Sequence, residues 1–534
     1  MPPHCKAWPN RFPLRKGFQQ SGLAVEQMAA HIPGMDQKTP RDILAEQANL
    51  PRFEYTLASD VPGIAVAQEP EGADEPRLMA FNATLAEELG FEAGALDETA
   101  LAAFFSGAQL PETVSPVALA YAGHQFGNFV PQLGDGRAHL LGEVVDVNGT
   151  RRDVQLKGSG RTVFSRGGDG LAAVGPVLRE YIVSEAMHAL GIPTTRSLAA
   201  VATGERIFRE RLLPGAVLTR VASSHLRTGS FQYFAARRDK PATKQLADHA
   251  IARHYPEIAG SENPYLELVR SVGRARASLV AKWMHAGFVH GVMNTDNSSI
   301  SGETIDYGPC AFMDRHSANT VFSSIDRQGR YAYGNQPPIA QWNLARLAET
   351  LIPLIHDEPD KAVGLATDAV GEFASVYKEE WLSGMRSKLG LYAQREEDFK
   401  LATDLLATME EGGADHTLTF RGLSDWLRGE REPLRSLFID PTRLDSWAER
   451  WKARLSQEAP VEDRADRMER TNPLYIPRNH KVEEALAAAE GGDMVPFEKI
   501  IAVLAKPYEA AVGFDDYARP PADGGDDYVT FCGT

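Results

Sequence analysis

Apolar positions in this chain come first in short blocks and later at helical spacing. Residues 138–147 (AHLLGEVVDV) and 153–156 (DVQL) flank Asn148-Gly149, a dipeptide suited to a tight turn, so two paired strands are predicted there. A second hairpin is predicted for 198–202 and 205–209 around Thr203-Gly204. The segment 78–89 reads as a short helix begun near Asn82 and stopped by Gly90. After Pro176 the period changes. Leu178, Tyr181, Ile182 and Leu190 recur along VLREYIVSEAMHAL, a helix ended by Gly191 and Pro193. Asn263-Pro264 opens a longer helix to about residue 286, with Val269, Val272, Leu279, Val280 and Trp283 along its buried stripe. That helix runs into GFVHGVMNTDNSSISGETID, where 298–300 and 303–305 read as two short strands around Ser301-Gly302. Beyond Pro338 the pattern is mostly helical, over 344–354, 362–381 and 397–409. Strands with one key helix, followed by a strand-poor helical region, predict an α+β protein of two lobes rather than a doubly wound sheet.

Composition narrows the class. Of the 534 residues, 43% are hydrophobic and 24% charged, as in soluble globular proteins. No run of 18 apolar residues exists, so no membrane partner is expected. A formal charge of −16 argues against a nucleic-acid partner. Residues 151–240 nevertheless carry 15 Lys/Arg against 7 Asp/Glu, which suggests a local anion site; a solvated basic face is the commoner explanation of such a run. Three cysteines exclude a disulfide scaffold, and their spacing offers no zinc site. Residues 1–48 read as a partly ordered extension without a secretory h-region. A cytoplasmic location is expected, with a mitochondrial leader as the alternative. The stretch from 520 to the end is acidic and Gly-rich, and is expected to be mobile.

Candidate chemistry concentrates at 287–308. A hairpin over 298–305 would return Asp306 to the side of Asp296 and Asn297. Converging oxygen ligands of this kind suit Mg²⁺, which takes one or two carboxylates plus substrate phosphates. The layout resembles the kinase arrangement, with Asp306-Tyr307-Gly308 in the place of Asp-Phe-Gly. An Asn/Asp-rich turn without chemistry is the plain alternative. Upstream, Gly134 and Gly136 in LGDGR would let backbone N–H groups approach phosphate, with an ordinary turn as the commoner reading of such a segment. Lys157 closes a strand, where a lone lysine is ordinarily a solvated edge residue; Glu180 on the next helix would pair with it, as in kinase-like sites. Between them lies a second glycine loop, Gly167-Gly168-Asp169-Gly170. Arg220 and Arg227 could fork onto phosphate oxygens, with structural ion pairs as the ordinary reading of each.

Taken together, YAGHQFGNFVPQLGDGRAHLLGE, QLKGSGRTVFSRGGDG, LREYIVSEAMHALGIPTTRSL, GFVHGVMNTDN and DYGPC resemble the selenoprotein O family from about residue 51 onward. The resemblance implies a two-lobed protein-kinase-like fold with an additional, mostly helical C-terminal region. The implied division is an extension over 1–48, a nucleotide-binding N-lobe-like region over 49–235, a catalytic and metal-binding C-lobe-like region over 236–400, and a helical region with a flexible tail over 401–534. It implies transfer of AMP from ATP to Ser, Thr or Tyr hydroxyls of protein substrates, with Mg²⁺ or Mn²⁺. ATP would bind flipped relative to kinases. Carried over, the pattern puts Gly134, Gly136, Arg137, Lys157, Asp169, Gly170, Arg220, Arg227 and Asp306 at the nucleotide. Asn297 and Asp306 would hold the metal, and Asp296 would accept the proton. Alternatives are a γ-phosphoryl transferase and a non-catalytic nucleotide-binding pseudokinase. Against the former, Asp296 and Asn297 are adjacent, whereas kinases separate the pair. Cys532 matches the family's terminal selenocysteine or cysteine; a redox pair with Cys310 is one reading, against the commoner one of Cys310 as a small buried hydrophobe. Asn472-Pro473 and Arg478-Asn479-His480 also resemble a family segment, without an assigned role. The protein targets and the oligomeric state are not legible.

Overall fold

The computed structural model describes residues 50–92, 97–522, 524–525 and 528–530. Its centre is an antiparallel sheet. In chain order the strands used below are β1 (Ala65–Ala67), β2 (Arg77–Phe81), β3 (Val117–Leu119), β4 (Gly123–Gln125), β5 (Asn128–Val130), β6 (Ala138–Val145), β7 (Arg151–Lys157), β8 (Ala172–Ala173), β9 (Arg196–Phe208) and β10 (Leu212–Ala222). The sheet order is β1-β3-β6-β7-β10-β9-β2, with β8 added on β10, while β4 and β5 pair separately as a small hairpin. The fold is therefore α+β, as the strand-then-helix order predicts.

One face of the sheet packs on Leu85, Phe91, Phe104 and Phe105, with Leu156, Val201 and Val217 contributed by the strands. The helix Val174–Ala189 carries two apolar faces. Leu178, Tyr181 and Ile182 pack against Val482, Leu486 and Phe497 of later helices. Val183 and Met187 join the larger core built on Pro264–Ala286, Gln336–Ile355 and Pro359–Lys388. The Pro264–Ala286 helix begins where expected: Asn263 accepts from Leu266 N, and Gly287 ends it in the left-handed conformation at φ 71°. Among the described residues no helix is long and apolar enough to cross a membrane.

Four expectations need correction. Residues 77–81 form β2 rather than helix, although the helix does begin at Asn82, its cap, as expected. The hairpin around Thr203-Gly204 does not form; β9 runs straight through it and turns at 209–211 instead. A Cβ on Gly204 would sit 2.6 Å from the Glu75 side chain, so this glycine serves close packing rather than a turn. The pair of strands at 298–305 is also absent. Ser299 bridges to Arg227 and Thr304 to Thr194, so the two halves pair away from each other. Part of the tail is tied down rather than mobile. Thr530 N donates to Phe322 O at 2.8 Å and its hydroxyl to Pro309 O at 2.7 Å, and Tyr528 reaches both Arg179 and Glu483. The extension 1–48 and Cys532 lie outside the described residues.

Candidate active site

Strand alternation places Gln155 and Lys157 on one face of β7, opposite Arg220 and Leu218 of β10. Arg220 Nε donates to Gln155 Oε1 at 2.7 Å, and Gln155 Nε2 donates to Asp135 Oδ2 at 2.9 Å. Lys157 Nζ lies 2.6 Å from Glu180 Oε2 and 2.8 Å from Asp306 Oδ1. The expected lysine–glutamate pair is thus formed between strand and helix. Three cations converge on Asp306: Lys157, Arg220 NH1 at 2.8 Å and Arg227 NH1 at 3.3 Å. Burial acts to raise the Asp306 pKa, but Lys157, then Arg220 and Arg227, outweigh it and hold the carboxyl well below the usual range. Asp306 also takes φ 66°, rare for a residue with a Cβ, so the local backbone is strained where the charges meet.

Asp296 is different. It lies in a 3₁₀ turn, Thr295–Asn297, and is 7% exposed. Among the described residues its Oδ1 has no hydrogen-bond partner, and Gln125 reaches Oδ2 only at 3.4 Å. Burial raises its pKa to about 6. Arg227 links the two aspartates, donating from NH1 to the Asp296 backbone oxygen at 3.0 Å as well as to Asp306. Its guanidinium also lies 4.5 Å from the centre of the Tyr121 ring. The hairpin expected at 298–305 is missing, yet Asp296 and Asp306 still share one cluster, because Arg227 holds both.

The glycine positions are sterically demanding. Gly134 has φ 88°, and a Cβ there would lie 2.4 Å from Phe164; one on Gly170 would lie 2.1 Å from Gly160 O. Gly136 passes beside Phe164 O, where a Cβ would be 3.1 Å away. Arg137, Lys157, Glu180, Leu218 and Tyr307 line a cavity of about 580 Å³, a size that suits a nucleotide-sized ligand. Asp169 stands apart from this group: Arg209 holds both its oxygens, at 2.6 and 3.0 Å. Three residues were missed. Asp135 reads in sequence as a turn residue, Gln155 as a strand polar and Gln125 as a loop amide; nothing in their spacing marks them. Cys310 is buried and its thiol is pushed up to about 12 by burial, the state of a small apolar residue.

The residues also bear on which metal the site suits. Among the described residues no group of three His, Cys, Asp or Glu could form an all-protein cage. Asn297 donates its Nδ2 to Val292 O at 3.0 Å, which leaves a neutral oxygen as its other functional atom. The Asp306 carboxylate likewise offers only hard oxygen, with Lys157, Arg220 and Arg227 now on it. That fits a cation completed by substrate phosphates, as Mg²⁺ is, and not zinc.

Close relatives define a class. Proteins named protein nucleotidyltransferase YdiU from Rhizobium meliloti, Rhodopseudomonas palustris and Chromobacterium violaceum are 55%, 57% and 58% identical to this chain. The matches cover 90%, 88% and 87% of the chain and 99%, 96% and 98% of those proteins. The chain is an enzyme of the protein nucleotidyltransferase class. The family model described as protein adenylyltransferase SelO matches residues 52–505, and the chain belongs to that family.

Proposed function

We propose that this protein transfers AMP from ATP to Ser, Thr or Tyr hydroxyls of other proteins, with Mg²⁺, on a two-lobed kinase-like fold. The sheet and the Val174–Ala189 helix would form the nucleotide-binding lobe over 49–235. Residues 236–400 would form the catalytic lobe, and 401–534 a helical addition. One observation carries the reading: Asp296, a buried carboxylate whose Oδ1 has no partner among the described residues, is joined through Arg227 to Asp306, a carboxylate gripped by three cations.

The acceptor hydroxyl would attack the α-phosphorus. A new O–P bond forms, the bond to pyrophosphate breaks, and the hydroxyl proton passes to Asp296. A pKa near 6 leaves Asp296 ionised at neutral pH and able to take that proton. Lys157, Arg220 and Arg227 would turn from Asp306 towards phosphate oxygens and offset charge on the departing pyrophosphate. Gly134, Gly136 and Gly170 would let backbone approach the nucleotide, and Arg137 would contact it from the cavity wall. Asp169 would act through its backbone, because its side chain is held by Arg209. Mg²⁺, held by Asn297 and Asp306, would neutralise phosphate charge.

The deciding experiment is incubation with ATP labelled separately at the α and γ positions. Protein-bound α-label with a mass increase of one AMP is expected. Incorporation of γ-label alone would replace this reading with phosphoryl transfer, and tight binding without either would indicate a scaffold.

Metal dependence gives a second expectation. Asp306→Ala removes the anion that three cations share, so metal-free ATP should bind at least as tightly as to the wild type. The extra affinity gained on adding Mg²⁺ should fall by tenfold or more, about 1.4 kcal/mol. Calorimetric titration with and without Mg²⁺ reads both. An unchanged gain would remove Asp306 from the metal role.

A further inference from the structure

The β4–β5 hairpin covers Asp296. A Cβ on Gly123 would lie 2.6 Å from Asp296 Oδ1, so the hairpin backbone passes hard against the carboxylate. Three contacts fix it there. His124 N donates to Thr295 Oγ1 at 2.6 Å, Phe126 N donates to Asn294 Oδ1 at 3.0 Å, and Gln125 reaches Asp296 itself. Thr295 donates to Gln232 Oε1 at 2.7 Å, and Gln232 Nε2 meets His124 Nδ1 at 2.8 Å, closing a ring of hydrogen bonds. A hydroxyl that approached Asp296 from the hairpin side would meet the outer face of this hairpin first.

That outer face is aromatic and cationic. Phe129 is 42% exposed and its ring lies 4.9 Å from that of His124, which in turn meets Trp342 at 5.3 Å. Arg330 and Arg346 flank Trp342, with guanidinium carbons 4.9 and 5.0 Å from the ring centre. Arg346 is salt-bridged to Glu349, whereas Arg330 makes no ion pair among the described residues and lies against the Tyr331 and Trp342 rings. After burial, Arg346 is the largest influence holding the His124 pKa down, and Arg330 adds to it, so both charges are felt at the hairpin. In a chain of net charge −16, two arginines thus lie together at this hairpin, one of them shared with Glu349. Arginine and aromatic side chains are the residue types that anchor protein interfaces, and opposite charge selects and orients the partner.

We propose that this face docks the protein acceptor, as an acidic segment carrying a Ser, Thr or Tyr hydroxyl. Its carboxylates would lie on Arg330 and Arg346, its backbone across Phe129 and Trp342, and its hydroxyl would enter past Gln125 to Asp296. The proposal rests on nucleotidyl transfer to protein as the activity of the site.

The test uses the full chain and three synthetic peptide pools with a central Ser, Thr or Tyr, flanked by Glu/Asp, by Gly/Gln or by Lys. Binding is read by fluorescence anisotropy, and transfer by α-label from ATP. The acidic pool is expected to bind at least tenfold more tightly than the Lys pool and to weaken with salt. Arg330→Glu with Arg346→Glu should raise KM for acidic peptides at least tenfold and leave ATP affinity unchanged, while Lys at both positions should restore most of it. Phe129→Ala should weaken all pools. Equal binding of the three pools, or KM unchanged by charge reversal, overturns the proposal. Salt-sensitive binding of the acidic pool, abolished by charge reversal, with no α-label on any peptide would support the surface and count against nucleotidyl transfer.

Discussion

Replacing Asp296 by Asn should make the protein slower and more stable at once. The amide cannot take a proton from an attacking hydroxyl, and loss of a general base costs on the order of 10²–10⁴ in rate. Nucleotide affinity should change little, because the cations of the site gather on Asp306. The stability gain follows from the environment. Asp296 has a pKa of about 6 in the fold against an ordinary 3.8, with burial as the main cause. Its protonated form is the one the fold favours. That contribution is present in acid and is lost as pH rises from the unfolded value through about 6. Above this window the ionised group costs roughly 2–3 kcal/mol, which a neutral amide avoids in large part. Denaturant midpoints should therefore favour the variant at pH 7 to 8, with the difference shrinking toward pH 4. In the wild type, kcat/KM should fall on the acid side near pH 6, and the residual rate of the variant should lack that limb. Near-normal turnover, or a variant less stable than the wild type at neutral pH, would refute this account of Asp296.

The second large effect is expected at Arg478, in the segment whose sequence resembles the family without suggesting a role. Its guanidinium is fully buried. NH1 lies 2.6 Å from Asp314 Oδ1 and 2.6 Å from Asp415 Oδ2, and Nε and NH2 donate to Ala518 O at 3.1 and 2.8 Å. Asp415 also caps the helix His416–Arg428, accepting from Leu418 N at 2.7 Å. Next along the chain, Asn479 Nδ2 donates to Phe312 O at 3.0 Å. The C-terminal helical region thereby grips residues 312–314, just past Asp306. Arg478→Ala leaves two buried carboxylates without their shared cation, a loss of about 3–5 kcal/mol. Urea unfolding should show the fall in midpoint. Arg478→Met combined with Asp314→Asn and Asp415→Asn should recover much of it, because no buried charge is then left uncompensated. A loss below about 1 kcal/mol for the single variant would mean that solvent reaches the two aspartates.

Local signals survived in the structure where the local chemistry was complete. Asn148-Gly149 with its flanking apolar blocks gave a hairpin, and Asn263-Pro264 opened a helix. The lysine–glutamate pair was legible because strand and helix each place one end of it. Thr203-Gly204 and Ser301-Gly302 carried the same turn signal but lie in other structures. At both, distant partners decide the conformation: Glu75 beside Gly204, and Arg227 and Thr194 on either side of Gly302. The occupation of Asp169 by Arg209, 40 residues away, is a tertiary fact that no spacing carries. The same holds for Asp135, whose role in the network depends on Gln155 in the neighbouring strand.

The convergence on Asp306 also has a consequence for how the protein comes into being. Its partners Lys157, Arg220 and Arg227 lie 149, 86 and 79 residues away in sequence. Contacts of such long separation pay for loop closure before they return anything, and form after local helices and hairpins. A half-folded chain therefore holds the cations and the carboxylates but not the cluster. If this cluster carries the chemistry, catalytic competence would arrive late in folding, and incompletely folded copies would lack it.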